Sequence, residues 1–206
     1  MKVLLINGSP HEKGCTYTAL SLIAGELKAQ GIETEILHVG GQPVGGCIGC
    51  GGCIGGNGCV FGGVVNEAIE KAKTADAFVF GSPVHYASAA GNMASFMDRL
   101  AYAGGKYLAY KPAAVCCSAR RAGTTSTLDQ LVKYPQFFHM PLVNGSYWAM
   151  VHGSNPEQVL QDAEGCAVMQ ELGRNMAWLL HCIEAGKAAG IDHPQNPPRP
   201  MTSFIR

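Results

Sequence analysis

Charge is what this sequence has little of. Lys and Arg number 15, Asp and Glu number 15, and among 206 residues they cancel. The chain thus lacks the basic footprint that nucleic acid needs and the acidic field that would draw a cationic partner. Long apolar runs are missing too: Val3-Leu4-Leu5-Ile6 stops at once in Asn7-Gly8-Ser9-Pro10, far short of the roughly 18 to 20 residues of a membrane span. That early interruption also lacks the charged, apolar and small-residue order of a signal peptide. There is no internal repeat. A soluble, cytoplasmic protein that handles small molecules, with no nucleic-acid or membrane partner, is the expectation these absences leave.

Cysteine and glycine are plentiful instead. Nine cysteines is an odd count, and a chain this long has no need of disulfide bracing, so metal or redox roles are favoured over a disulfide framework. Four of them fall in the thirteen residues CIGCGGCIGGNGC, Cys47 to Cys59. Twelve of the 24 residues from 40 to 63 are glycine, which no regular element survives, so this segment must be a loop.

Around the loop, short apolar runs alternate with helical patterns. Val3–Ile6, Glu33–Val39, Ala77–Phe80, Ala113–Cys117 and a segment within Leu142–Val151 read as strands. Helices are expected around Leu20, Ile23, Ala24 and Leu27, over Val64–Lys73, along the stripe Met93, Phe96, Met97, Leu100, over Thr125–Tyr134, and from Glu157 to about Ala189. Uniformly apolar strands separated by helices point to an α/β fold: a parallel sheet covered on both faces, a flavodoxin-like three-layer sandwich of five strands in the order 2-1-3-4-5. In such a sheet ligands bind outside the carboxyl ends of the strands, so the loops after the strands are where chemistry is expected.

The first of these, Gly8-Ser9-Pro10-His11-Glu12-Lys13-Gly14-Cys15-Thr16, combines hydroxyls and free amides with the start of a helix. It has neither the dinucleotide nor the P-loop fingerprint, and it suits a single phosphate such as that of FMN; a plain turn and helix cap is the other reading. His11 would add charge there. In the loop Gly81-Ser82-Pro83-Val84-His85-Tyr86, amides could read a flavin edge while a ring covers its face. Ser118-Ala119-Arg120-Arg121-Ala122-Gly123-Thr124-Thr125 offers hydroxyls and two guanidiniums, or equally a solvated basic turn.

Taken together, GSPHEKGCT, GSPVHYASAAGNMASFMDR and SARRAGTTST resemble the NAD(P)H-dependent FMN reductase family of flavodoxin-like proteins, over nearly the whole chain. The four-cysteine element is similar to that of the iron–sulfur flavoproteins, a branch of that family. The resemblance implies residues 1–190 as an FMN-binding domain with the Gly/Cys-rich loop at 40–63, followed by an irregular tail at 191–206. It places Ser9, Gly14, Cys15 and Thr16 at the FMN phosphate, and Pro83, Val84, His85, Tyr86, Ser118, Arg120, Gly123 and Thr124 around the isoalloxazine. It also implies a homodimer or homotetramer with the flavin at a subunit interface. Cys15, His85, Gly62-Gly63 and Ala94-Ser95 depart from residues common in relatives, which bears on ring stacking and substrate preference.

Cys47, Cys50, Cys53 and Cys59 have the three-then-one spacing of ligands to a [4Fe-4S] cluster, whereas structural zinc divides its ligands into two pairs. The alternative, thiols that only line the pocket or oxidise in pairs, stays open. Cys116, Cys117, Cys166 and Cys182 read as core or interface, and Cys15 as ambiguous. His85 is the candidate proton donor. Tyr147 and Trp148 are candidates to cover the flavin, Trp178 is expected in a helix core, and Asp98-Arg99 reads as an ion pair at a helix end.

The function expected is an FMN-dependent oxidoreductase that takes hydride from NAD(P)H and reduces a small acceptor, a quinone, a nitro or azo compound or a flavin, by a ping-pong scheme. Alternatives are an iron–sulfur flavoprotein that carries electrons with ferredoxin, and a non-enzymatic flavodoxin-fold binding protein.

Overall fold

The computed structural model describes residues 1–198 and 200–202; the expected tail at 199 and 203–206 lies outside the described residues. In chain order the elements are β1 (Lys2–Asn7), α1 (Cys15–Ala29), β2 (Glu33–His38), α2 (Val64–Thr74), β3 (Ala77–His85), β4 (Ser88–Ala89), α3 (Gly91–Gly104), β5 (Ala113–Ala119), α4 (Thr124–Phe137), β6 (Met150–His152), α5 (Pro156–Val159) and α6 (Ala163–Ala188). Five parallel strands run in the order β2-β1-β3-β5-β6, the expected flavodoxin-like order. The two-residue β4 is an addition, an antiparallel return onto the end of β3.

Burial on both faces explains why these strands carry no polar alternation. In β1, Val3 and Leu5 join the core layer beneath α1 and α6, while Leu4 and Ile6 join the layer beneath α2 and α3. Phe78 and Phe80 on β3 stack at 5.9 Å in that second layer, both fully buried, and each such ring contributes roughly 1.5–3 kcal/mol by leaving water. The chain leaves β1 for β2 on one side and pairs with β3 on the other, so the topological switch lies at the carboxyl end of β1.

Three expectations of the fold needed correction. The fifth strand is broken: Leu142 makes a single bridge to Ala113, Asn144-Gly145-Ser146 turns the chain out, and pairing resumes only at Met150. The C-terminal helical region is two helices, because the Asp162 side chain accepts the Gly165 amide at 3.0 Å and so caps a new start. Trp178 is 69% exposed, one position off the buried stripe of Met169, Leu172, Met176, Ala177 and Leu180. Of the four cysteines expected in core or interface, Cys116 and Cys117 are buried, Cys166 is half-buried and Cys182 is exposed.

Candidate functional site

The carboxyl end of β1 is shaped by one buried amide. Asn7 accepts the Ser9 amide through Oδ1 at 3.1 Å and donates through Nδ2 to the Glu12 carbonyl at 2.9 Å, drawing residues 8–12 into a tight cup. Ser9 Oγ in turn accepts the His11 amide at 3.1 Å. His38, at the end of β2, reaches the Ser9 carbonyl through Nε2 at 2.8 Å. The following loop passes so close that a Cβ on Gly40 would sit 2.1 Å from the Ser9 carbonyl oxygen. Gly14 then caps α1 with no side chain bonded to the first turn, leaving backbone N–H groups there without a side-chain acceptor.

Three other loops close on the same edge. Thr16 Oγ1 and Ser118 Oγ, both buried, lie 2.8 Å apart and join the first loop to β5. Cys15 Sγ donates to the Gly153 carbonyl at 3.5 Å, joining it to the segment after β6, and burial pushes this thiol up so that it stays protonated. After β3, His85 and Ser88 flank a two-residue turn in which Tyr86 (φ 50) and Ala87 (φ 60) both adopt left-handed backbone. That turn favours Asn-Gly, and holding Tyr and Ala there stores strain. The turn is pinned by Ser126 Oγ donating to the Ala87 carbonyl at 2.7 Å, and by Gly123 (φ 90), where a Cβ would lie 2.7 Å from Ala87 Cα.

The structure therefore gathers Ser9, Gly14, Cys15, Thr16, Pro83, Val84, Tyr86, Ser118, Gly123 and Thr124 on connected loops at one sheet edge. Arg120 and His85 are on the same edge but exposed, and neither side chain has a partner among the described residues. Tyr147 and Trp148 pack edge to face at 4.8 Å along a different groove, of about 670 Å³, walled by Val115, Leu128 and Asp129 under the broken edge strand. The expected flavin cover is thus not among the loops just described.

Beside this edge, the four cysteines Cys47, Cys50, Cys53 and Cys59 all line one cavity of about 380 Å³ with Arg99, Tyr102 and Phe61. Asn66 grips Cys59 through both backbone groups, accepting its amide at 2.8 Å and donating to its carbonyl at 3.0 Å. Asn92 donates to the Gly40 and Gln42 carbonyls and accepts the Val44 amide, so it fixes the start of the loop. Among the described residues no three His, Cys, Asp or Glu are gathered closely enough to hold a metal ion. Cys47 and Cys50 are exposed, so binding a cluster would require them to close inward.

Asp98 and Arg99 do not pair. Neighbours on a helix project about 100° apart, and Asp98 accepts the Tyr134 hydroxyl at 2.6 Å while Arg99 turns into the cysteine loop. The contacts of Asn92, Arg99 and Asn66 with the cysteine loop escaped the sequence reading, which had assigned Arg99 to an ion pair instead. One signal was there: Asn92 and Arg99 stand seven residues apart, two turns along one side of α3.

The family model described as NADPH-dependent FMN reductase matches residues 1–155. An iron–sulfur flavoprotein of Methanocaldococcus jannaschii is 28% identical over 192 residues, spanning 89% of this chain and 100% of that one. A flavodoxin from the domain Archaea superposes with a TM-score of 0.60 at 14% identity, covering 88% of this chain and 99% of that one. An NADH:FMN oxidoreductase, in its apo form, gives 0.64 at 17% identity, covering 86% and 89%.

Proposed function

Because the chain belongs to the NADPH-dependent FMN reductase family, we propose that it is an FMN-dependent oxidoreductase that takes hydride from NADPH or NADH and reduces a small acceptor at the same place. The observation that carries this reading is the joining of the loops after β1, β3 and β5 at the topological switch, through Thr16–Ser118 and Gly123–Ala87.

The residues fit the cofactor. The cup formed by Ser9, the uncapped amides of Cys15 and Thr16 after the Gly14 N-cap, and the Thr16 hydroxyl suit one phosphate group. Pro83, Val84, His85, Tyr86, Ser118, Gly123 and Thr124 border the space beyond it, where the ring system would lie. FMN, when bound, supplies the hydride chemistry. Arg120, exposed and unpaired among the described residues, attracts the anionic nicotinamide cofactor. His85 stands on the strained turn as the group able to hold a proton for the acceptor. With no separate dinucleotide fingerprint in the sequence, nicotinamide and acceptor take turns at one site, the ping-pong scheme. A quinone, a nitro or azo compound or a flavin is the acceptor class, in a cytoplasmic homodimer or homotetramer.

We include in the proposal a [4Fe-4S] cluster held by Cys47, Cys50, Cys53 and Cys59. Its support is the chemistry of the donor set, four thiols around one cavity, and the full-length similarity to an iron–sulfur flavoprotein. That same support favours a second reading, an electron carrier working with a ferredoxin.

Anaerobic mixing of the purified protein with NADPH separates the two. Prompt bleaching of the flavin bands is expected for the reductase; bleaching only by reduced ferredoxin would leave the carrier. Protein that purifies colourless and takes up no added FMN would defeat both. Iron and sulfide analysis of anaerobically prepared protein tests the cluster, and less than about one iron per chain would remove it.

A further inference from the structure

Arg99 is 6% exposed, yet no carboxylate among the described residues pairs with it. Its three donor nitrogens are all spent on the cysteine loop. Nε donates to Cys59 Sγ at 3.2 Å, Nη1 to the Gly45 carbonyl at 3.3 Å and Nη2 to the Gly62 carbonyl at 3.0 Å. Gly45 precedes the first of the four cysteines and Gly62 follows the last, so one side chain clasps both ends of the ligand-bearing segment. The guanidinium also lies over the Phe61 ring at 5.4 Å, which limits its escape toward water.

A buried cation without an anion beside it is costly, because its lost hydration is not replaced by an opposite charge. The Gly45 and Gly62 carbonyl oxygens and the Cys59 sulfur satisfy its hydrogen bonds. An anionic group beside it would satisfy the charge, and thiolates that ligate a cluster are anionic.

We propose that Arg99 is the positioning residue of the iron–sulfur site: it closes the cysteine loop and sets a fixed positive charge against the sulfur of Cys59. The inference rests on the cluster reading above. Charge and hydrogen bonds at cluster sulfurs set reduction potential. A cation there favours the reduced, more negative state, so Arg99 raises the potential. This would bias the cluster toward accepting an electron from a neighbouring flavin.

Two substitutions divide the roles. Arg99→Gln keeps a donor and removes the charge, whereas Arg99→Lys keeps the charge and loses the fork. Midpoint potentials from anaerobic dye titration are expected to fall for Arg99→Gln and to stay near the unsubstituted value for Arg99→Lys. In metal-free protein, amide exchange of residues 45–62 is expected to quicken in both. Equal potentials in the Gln variant and the parent overturn the charge role, and unchanged exchange overturns the clasp. If Arg99→Gln does not fold, a lowered potential in Arg99→Lys overturns the charge role. Should the parent chain take up no iron on reconstitution, the cluster reading and the charge role fail together, while the exchange data still decide the clasp.

Discussion

Thr16 Oγ1 and Ser118 Oγ stand 2.8 Å apart although 102 residues separate them in sequence. The contact fastens the first turn of α1 to the end of β5, and both side chains are buried. Removing one hydroxyl leaves the other without its partner, which costs about 1–3 kcal/mol; removing both costs less than the two losses added. Urea unfolding of Thr16→Val, Ser118→Ala and the double variant is expected to show this non-additivity, together with lowered FMN content in each. Strict additivity would mean that the two hydroxyls do not act as a pair.

Arg120 is predicted to matter for binding and not for folding. It is exposed and makes no hydrogen bond or ion pair among the described residues, so Arg120→Ala should leave stability within about 0.5 kcal/mol. The Michaelis constant for NADPH should rise. An unchanged constant with unchanged flavin content would remove Arg120 from the site.

The hairpin at Tyr86 and Ala87 trades stability for position. Both residues hold left-handed backbone, so the double change Tyr86→Asn with Ala87→Gly should stabilise the fold by about 1 kcal/mol or more. If the exposed Tyr86 ring helps to place nicotinamide or acceptor, kcat/KM falls as the melting temperature rises. A gain in both would show that the strain serves no catalytic purpose.

Gly123 is predicted to be intolerant of alanine. Its φ of 90 and the 2.7 Å approach to Ala87 Cα mean that a methyl group must push the two loops apart. Gly123→Ala should weaken flavin retention, measured by dialysis and fluorescence, by tenfold or more if the separation costs at least about 1.4 kcal/mol in binding. Retention equal to the parent would show that the loop contact does not shape the site.

Alkaline pH should expose the two buried thiols of β5. Burial pushes Cys117 up to about 12 and Cys116 upward still further, from an ordinary value of 9.0. Above that ordinary value the unfolded chain loses protons that the folded chain keeps. Stability is therefore full below about 9 and falls as pH rises toward about 12, by up to roughly 1.4 kcal/mol per pH unit for each thiol. Urea unfolding from pH 8 to 10 should show a shallower fall in Cys117→Ala than in the parent.

How far the sequence reached depended on how local each signal was. The strands were legible because a sheet buried on both faces requires uninterrupted apolar runs, and Val3–Ile6 and Ala77–Phe80 are such runs. The loop at 40–63 was legible because glycine at that density rules out a regular element. The break in the last strand was harder to see, since Asn144-Gly145-Ser146 interrupts a stretch that is apolar on either side. Trp178 was misplaced because one residue of phase on α6 decides between core and water.

Periodicity, composition and spacing along the chain were enough for the α/β order, the loops at the carboxyl edge and the four closely spaced thiols. Only the tertiary structure decided that Thr16 meets Ser118, that Gly123 meets Ala87, and that Arg99 leaves Asp98 to clasp the cysteine loop. Those are meetings between residues far apart in sequence. Packing geometry selects them, and no local pattern in the sequence encodes the direction in which a side chain points.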